Sequence, residues 1–540
     1  MNLTQEQINI IHAKDKSFKI NAVAGSGKTT TLLEYAKNNK HLKILYLAYN
    51  KSLQISIQEK LKKYNLSHMK ISTIHALAYG KVEAFQYNLC NDLKIQVIEN
   101  SLCDYERNEN QRTNYFPIAE YIALIKDLVN FYCNSSLIAL DDILLEKYKI
   151  QCDLGSNTIK LLEKDPKKVL NHLKYILSSM KNKKIDAIHD FYLKMFYLNK
   201  KICTNLDYDL ILVDEAQDIS DVMIGIVEAQ NCRRIYIGDS FQQIYSFRYA
   251  TNALSKIDLP EYNLSKSFRF SDSYAKTLEK NLNELYKINT NKLLKISGIE
   301  GETKTGRNAI DFDKQFCVIA RSTFGLIQEI VHLIHDNKKI YFEGGYSSYS
   351  FMNQTVYSIF YLKEKKFEKI TMAEIKEFDS IYELEQFSKE TKNQDFLNVI
   401  KFINAYGDNI FEINKKIKEK LTTNKDEANI IFTTTHKSKG LEYEQVIMAN
   451  DFITKKEITN QKNKMSFTQT LEELNIYYVA ATRVRKAIDM SSLYLDYNYK
   501  VNDNSENISY KYKKKSTSKQ LKNLQEEWLK NNRIKKQMPM

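Results

Sequence analysis

An α/β architecture built on parallel P-loop-type sheets is what this sequence predicts, and three observations carry it. A short alternating strand (Phe18, Ile20, Ala22) runs into the loop Ala24-Gly25-Ser26-Gly27 and then Lys28-Thr29-Thr30, at the head of a helical stretch. Apolar runs over Leu42 to Ala48, Leu210 to Val213, Arg234 to Ile237, Phe316 to Ala320, Asn429 to Thr433 and Gln445 to Met448 read as buried parallel strands, many of them separated by helical patterns. The run Leu210 to Val213 passes directly into two acids, Asp214 and Glu215.

The glycine loop is a phosphate cradle. Its backbone N–H groups and the helix start face anionic oxygens, Lys28 adds a point charge, and Thr29 offers a ligand to Mg²⁺. A nucleoside triphosphate is the expected ligand, although Ala22 stands where the generic loop has its first glycine. At the carboxyl end of a neighbouring strand, Asp214 is placed to hold Mg²⁺ and Glu215 to polarise an attacking water. A further strand leads into Gly238-Asp239-Ser240-Phe241-Gln242, whose glutamine is suited to sensing the γ-phosphate. Beyond it, Phe247 and Arg248 pair a stacking face with a phosphate-neutralising charge, as single-strand contacts require.

Two long inserts of helical character lie between the strands, from about 80 to 185 and from about 345 to 425. The first carries the pattern Ile118, Tyr121, Ile122, Leu124, Ile125, Leu128; the second carries Phe396, Leu397, Ile400, Ile403. Pro260 falls near an expected junction between two halves, and the stretch from about 500 is a Lys-rich polar tail, read as solvated. The formal net charge of +14 favours a polyanionic partner. No run approaches the roughly 18 apolar residues of a membrane span, so no membrane partner is expected. Seven scattered cysteines, with no C-x-x-C pair, predict reduced thiols and a cytoplasmic protein, nucleoid-associated in a bacterium.

In order along the chain these residues resemble the superfamily 1A DNA helicases of the UvrD/Rep type. The resemblance implies two RecA-like P-loop NTPase domains, each with a mainly helical insertion. The expected limits are 1–79 with 186–263, insertion 80–185, then 264–344 with 426–500, insertion 345–425, and a basic tail over 501–540. It further implies ATP and Mg²⁺ as cofactors, with Thr29 and Asp214 on the metal. Gln7 resembles the adenine-reading Q motif, and Ala22 belongs to the family's own form of the loop.

Within the same resemblance, Phe268 stacks on adenine, Arg269 and Arg483 reach the γ-phosphate, and Glu442 meets the ribose. Lys28, Asp214, Glu215, Gln242, Arg269 and Arg483 are thus the expected catalytic set. Ala24, Gly25, Ser26, Gly27, Lys28, Thr29 and Thr30 line the nucleotide. Tyr49, Asn50, Thr73, His75, Tyr245, Phe247, Arg248, Thr434 and His436 face DNA. Tyr249 stands where glycine is usual, Phe247 where tryptophan is commoner, and Phe268 where tyrosine is usual.

Ile188-His189-Asp190-Phe191-Tyr192 and Ser267-Phe268-Arg269-Phe270 are similar to the F-box DNA helicase group in particular. Because the sequence opens at the Q motif, no F-box and no F-box partner are expected. The implied activity is ATP-dependent 3′→5′ unwinding or translocation on single-stranded DNA and tailed or forked duplexes, in repair or recombination. Stripping of recombinase filaments is a narrower form of it. Two other readings stay open: a DNA-activated ATPase working with a nuclease subunit in anti-phage defence, and an RNA helicase.

Overall fold

The computed structural model describes residues 3–490 except 65, 111–116, 153, 205, 290–292, 334–337, 350, 352, 392 and 460–464. The Lys-rich tail therefore lies outside the described residues. The chain forms two compact units: Met1–Thr303 with Lys464–Thr482, and Lys304–Asn463 with Arg483–Met540.

The first unit holds a six-stranded, all-parallel sheet. Its strands are β1 (Phe18–Ala22), β2 (Ile44–Leu47), β3 (Met69–Ser72), β4 (Leu210–Val213), β5 (Arg233–Gly238) and β6 (Glu261–Leu264), in the spatial order β3-β2-β4-β5-β1-β6. Both faces are covered, so successive residues of one strand enter different cores. Ile44, Tyr46, Leu210 and Leu212 pack on one side with Phe18, Ile20 and Leu32. Leu45, Leu47, Ile211 and Val213 pack on the other with Ile74, Leu193 and Ile226. That double burial is why the central strands read as unbroken apolar runs.

The first insert is a helical layer over Ile95–Asn110, Ala119–Asn134, Asp142–Gln151, Ser156–Lys164 and Pro166–Lys181, closed around its own core of Leu102, Ile125, Leu128, Leu144, Leu173 and Ile176. Asp165 caps its last helix through the Lys168 N–H, with Pro166 at the first helical position.

The second unit carries another all-parallel sheet: β7 (Lys304–Thr305), β8 (Phe316–Ala320), β9 (Ile340–Phe342), β10 (Ile430–Thr434), β11 (Tyr443–Met448) and β12 (Val484–Asp489), ordered β7-β12-β11-β8-β10-β9. Its helical insert includes Gln354–Lys363, Ile381–Glu390, Gln394–Tyr406 and Asn409–Lys420, with Phe396, Ile400 and Ile403 buried as the periodicity requires.

The Pro260 carbonyl accepts the Lys19 N–H at 2.9 Å, and the first sheet continues into β6. Residues 264–303 and the helix Phe467–Ala481 fall within the first unit. The reason is local, since β6 pairs with β1 and the segment after it runs beside the glycine loop, where the Phe268 N–H bonds the Gly25 carbonyl at 2.9 Å.

Candidate active site and nucleic-acid face

The carboxyl ends of β1, β4, β5 and β6 converge, and most of the expected nucleotide residues of the first unit stand there. Gly25 and Gly27 take φ of 74° and 79°, and a Cβ on either would crowd its neighbours. At Gly25 it would meet the Ser267 Oγ at 2.8 Å, and at Gly27 the Gln7 Nε2 at 3.0 Å and the Phe268 ring at 3.6 Å. The loop is thus pressed between the first helix and the 267–269 segment, which only glycine permits.

Gln7 is fixed by its own helix start. Its Oε1 accepts the Thr4 N–H at 3.0 Å, its N–H bonds the Thr4 Oγ1, and its Nε2 donates to the Thr31 Oγ1 at 3.1 Å. Phe268, half-buried, lays its ring against Gly27. The Arg269 guanidinium donates to the Thr482 carbonyl at 2.6 Å.

Lys28 Nζ stands 4.0 Å from Glu215 Oε1. Asp214 is buried, accepting the Tyr46 hydroxyl at 2.5 Å and the Glu215 N–H at 2.9 Å. Burial and the neighbouring Glu215 charge push its carboxyl above the usual carboxylate range, partly offset by Tyr46 and Lys28. Glu215 itself takes φ of 53°, an uncommon conformation for a side-chain-bearing residue, held by Gln217 Nε2 on its carboxylate at 2.5 Å. The buried Ser26 Oγ has no hydrogen-bond partner among the described residues.

An orphaned hydroxyl, a cradle that a Cβ would fill, and a lysine beside two acids together fit a triphosphate with its cation. Mg²⁺ takes few protein ligands and several oxygens from substrate and water. Thr29 and Asp214 would hold it, and it would neutralise phosphate charge. No group of three or more metal-ligating side chains occurs among the described residues.

Four residues without an assigned role in the sequence complete this centre. Tyr46 orients Asp214. Gln217 spans two strand ends, donating to Glu215 and, at 3.1 Å, to Asp218, while its Oε1 accepts the Asp239 N–H at 3.0 Å. A Cβ on Gly238 would lie 2.3 Å from that Oε1. Asp239 is buried, its pKa raised by burial, and accepts Gln242 Nε2 at 2.7 Å and the Tyr478 hydroxyl at 3.0 Å. Tyr478, on the helix Phe467–Ala481, also accepts the Ala24 N–H at 3.0 Å. Asp239 lies in the 238–242 stretch that the sequence singles out, yet only the packed structure gives Gln217, Asp239 and Tyr478 their partners.

From Tyr478 the same helix follows the chain away from the loop. Asn475 Nδ2 donates to the Gln243 carbonyl at 3.0 Å, and the Ser246 hydroxyl donates to Glu472. Residues 472, 475 and 478 share one helical face, so one face tracks residues 239 to 246 in step. Beside Ser246, Tyr245 stacks on Tyr49 with ring centroids 5.9 Å apart at 21°, and the exposed Arg248 guanidinium lies 5.5 Å from the Tyr245 centroid. The Phe247 side chain lies outside the described residues.

The other expected DNA residues of this unit are placed variously. His75 Nε2 donates to Asp190 at 3.0 Å, and Asn134 bonds the second oxygen of that carboxylate. Asn50 and Thr73 use their side chains as caps, accepting the Leu53 and Ala76 N–H groups. Tyr249, with φ of 57°, tolerates the glycine-like position by anchoring its hydroxyl on Asp127 of the helical insert.

Four expected residues belong to the second unit. Thr434 ends β10, His436 lies in the following turn, and Glu442 sits 3.6 Å from Arg485. Arg483 is buried there and donates to the Leu441 carbonyl at 3.2 Å.

Residues 3–256 match the family described as UvrD/REP helicase N-terminal domain. The chain is 26% identical over 517 residues to F-box DNA helicase 1 of Gallus gallus, covering 91% of this chain and 49% of that protein. It is 27% identical over 526 residues to F-box DNA helicase protein 1 of Schizosaccharomyces pombe, covering 90% of this chain and 57% of that protein. RecBCD enzyme subunit RecB of Borreliella burgdorferi is 27% identical over 242 residues, 43% of this chain and 16% of that subunit. The chain spans about half the length of the two F-box helicases it matches.

Proposed function

We propose that this chain, a UvrD-like protein of helicase superfamily 1A, hydrolyses ATP to move 3′→5′ along single-stranded DNA and to open tailed or forked duplexes. The observation that carries the reading is the helix Phe467–Ala481. Its Tyr478 bonds the phosphate loop and the Gln242 partner Asp239, while its Glu472 bonds the turn beside Tyr245 and Arg248. A change at the γ-phosphate thereby has a bonded route to an aromatic-and-arginine surface of the kind that holds single strands.

Lys28 and the loop amides bind the phosphates, Glu215 orients water, and Arg269 with Arg483 stabilises charge developing on the transferred phosphoryl group. Thr434, His436 and Glu442 take the DNA and ribose roles that the family resemblance gives them. Polarity rests on family likeness, as does the narrower activity of stripping recombinase filaments in recombination control. The similarity to a RecBCD enzyme subunit favours a second reading, a helicase that works as one subunit of a larger enzyme.

The test is ATP-driven displacement of duplexes carrying 3′ or 5′ tails, with Lys28→Ala and Glu215→Gln as controls. Displacement from 3′ tails that both substitutions abolish is the expected result. Activity from 5′ tails alone, or activity indifferent to Lys28, overturns the reading.

A further inference from the structure

Tyr249 closes a 3₁₀ turn over Ser246–Arg248 with φ of 57°, its N–H bonded to the Ser246 carbonyl at 2.8 Å. A β-carbon-bearing residue is held there at a cost, so something on its side chain must offset it. That side chain leaves the sheet domain and enters the helical insert. Its hydroxyl donates to the Asp127 carboxylate and lies 3.2 Å from the Asp127 carbonyl. The second Asp127 oxygen accepts the hydroxyl of buried Tyr148 at 2.5 Å. Phe131, one turn along the helix Ala119–Asn134, sets its ring against both tyrosines, at 5.6 Å and 71° to Tyr249 and 5.2 Å and 62° to Tyr148. One carboxylate, two phenols and a phenyl ring thus close around a point where two substructures meet.

We propose that Tyr249 is a positioning residue that fastens the helical insert to the Tyr245–Arg248 turn, so that insert and strand-contacting surface move as one body when the motor cycles. The coupling part rests on the helicase reading; the fastening does not. Tyr245 and Arg248 sit in the turn that Tyr249 closes, and Ser246 of that turn is bonded to Glu472 on the helix that reaches the phosphate loop. The insert is therefore the third body on one line of contacts: phosphate loop, strand-contacting turn, insert. Glycine at 249 would satisfy the backbone and leave the turn free of the insert. Tyrosine gives up that freedom for a charge-assisted hydrogen bond to Asp127.

Tyr249→Phe tests this, because it keeps the ring against Phe131 and removes only the hydroxyl. In the protein alone, amide exchange of Ala119–Asn134 and Asp142–Gln151 should quicken about tenfold. Unchanged exchange overturns the fastening. With 3′-tailed duplex, base pairs opened per ATP hydrolysed should fall severalfold. A purely structural defect would lower opening and hydrolysis together and leave that ratio unchanged, which overturns the coupling. If the wild-type protein opens no duplex, the helicase reading fails instead, while the exchange result still decides the fastening.

Discussion

Tyr46 occupies the middle of β2, in a run whose other members are apolar, and its hydroxyl is spent on Asp214. Removing that hydroxyl strands a buried carboxylate oxygen that is already desolvated. Tyr46→Phe is therefore expected to lower stability by about 1–3 kcal/mol, read by thermal melting without nucleotide. Added Mg·ATP should recover part of the loss, because the cation supplies what the phenol supplied. A variant that melts like wild type would show the bond to be without consequence.

From their order alone, the glycines and Lys28 are expected to form a phosphate cradle. Tyr46 was not legible in that way, since a tyrosine in an apolar strand is ordinarily core and its hydroxyl partner lies 168 residues away. Nor was Tyr478, whose bond to the Ala24 N–H spans 454 positions. Side chains that act by meeting distant backbone leave no local spacing to read. Asn50 and Thr73 show the converse: their places in the motifs pointed to DNA, and their side chains are engaged as helix caps.

At the scale of elements, β4 and β8 matched the expected runs because both faces of each are buried, while Glu261–Leu264 escaped notice as an edge strand whose polar residues are exposed. The helix Phe467–Ala481 was equally opaque: an apolar stripe and a polar stripe do not announce which segment the polar one tracks. Asn475 gives this helix a test. Its Oδ1 accepts the buried Tyr286 hydroxyl at 3.0 Å while its Nδ2 donates to the Gln243 carbonyl. Asn475→Asp keeps the acceptor and replaces the donor with a charge facing a carbonyl. DNA stimulation of the ATPase should fall about tenfold or more, measured against oligothymidylate concentration, while nucleotide affinity holds. Equal stimulation would mean that the contact transmits nothing.

The first insert offers a pH-dependent counterpart. His172 is buried, donating Nε2–H to Glu106 and accepting the Tyr121 hydroxyl at Nδ1, so its neutral form uses both nitrogens. Burial, reinforced by Lys168, holds its pKa down to about 4 from 6.5, although Glu106 opposes the shift. A group depressed on folding stabilises fully above its unfolded pKa and loses that contribution as pH falls through the folded value. Stability should therefore decline between about pH 6.5 and 4, read by melting across that range. His172→Gln should flatten the slope, and a variant that keeps the wild-type slope would place the titration elsewhere.

For the whole molecule, the path of the chain matters more than either sheet alone. It passes from the first unit to the second after Thr303, returns before the helix Phe467–Ala481, and leaves again between Thr482 and Arg483. The last crossing is a single peptide bond with an arginine contact on its near side: Arg269 holds the Thr482 carbonyl at 2.6 Å. On the far side, the Arg483 carbonyl accepts the Tyr443 N–H at 2.9 Å and its guanidinium meets the Leu441 carbonyl. Both arginines are expected on the γ-phosphate.

Substitution by alanine would confuse charge loss with loss of these structural bonds, so lysine is the sharper probe. It keeps the charge and one donor but loses the planar fork that matches phosphate oxygens. Arg483→Lys should reduce ATP turnover by about 10³-fold, within the range of arginine-finger losses, with nucleotide binding retained. Arg269→Lys should lower turnover and also loosen the crossing, seen as faster amide exchange at residues 478–484. Near wild-type turnover in Arg483→Lys would remove that arginine from the transition state and leave it a structural residue of the second sheet.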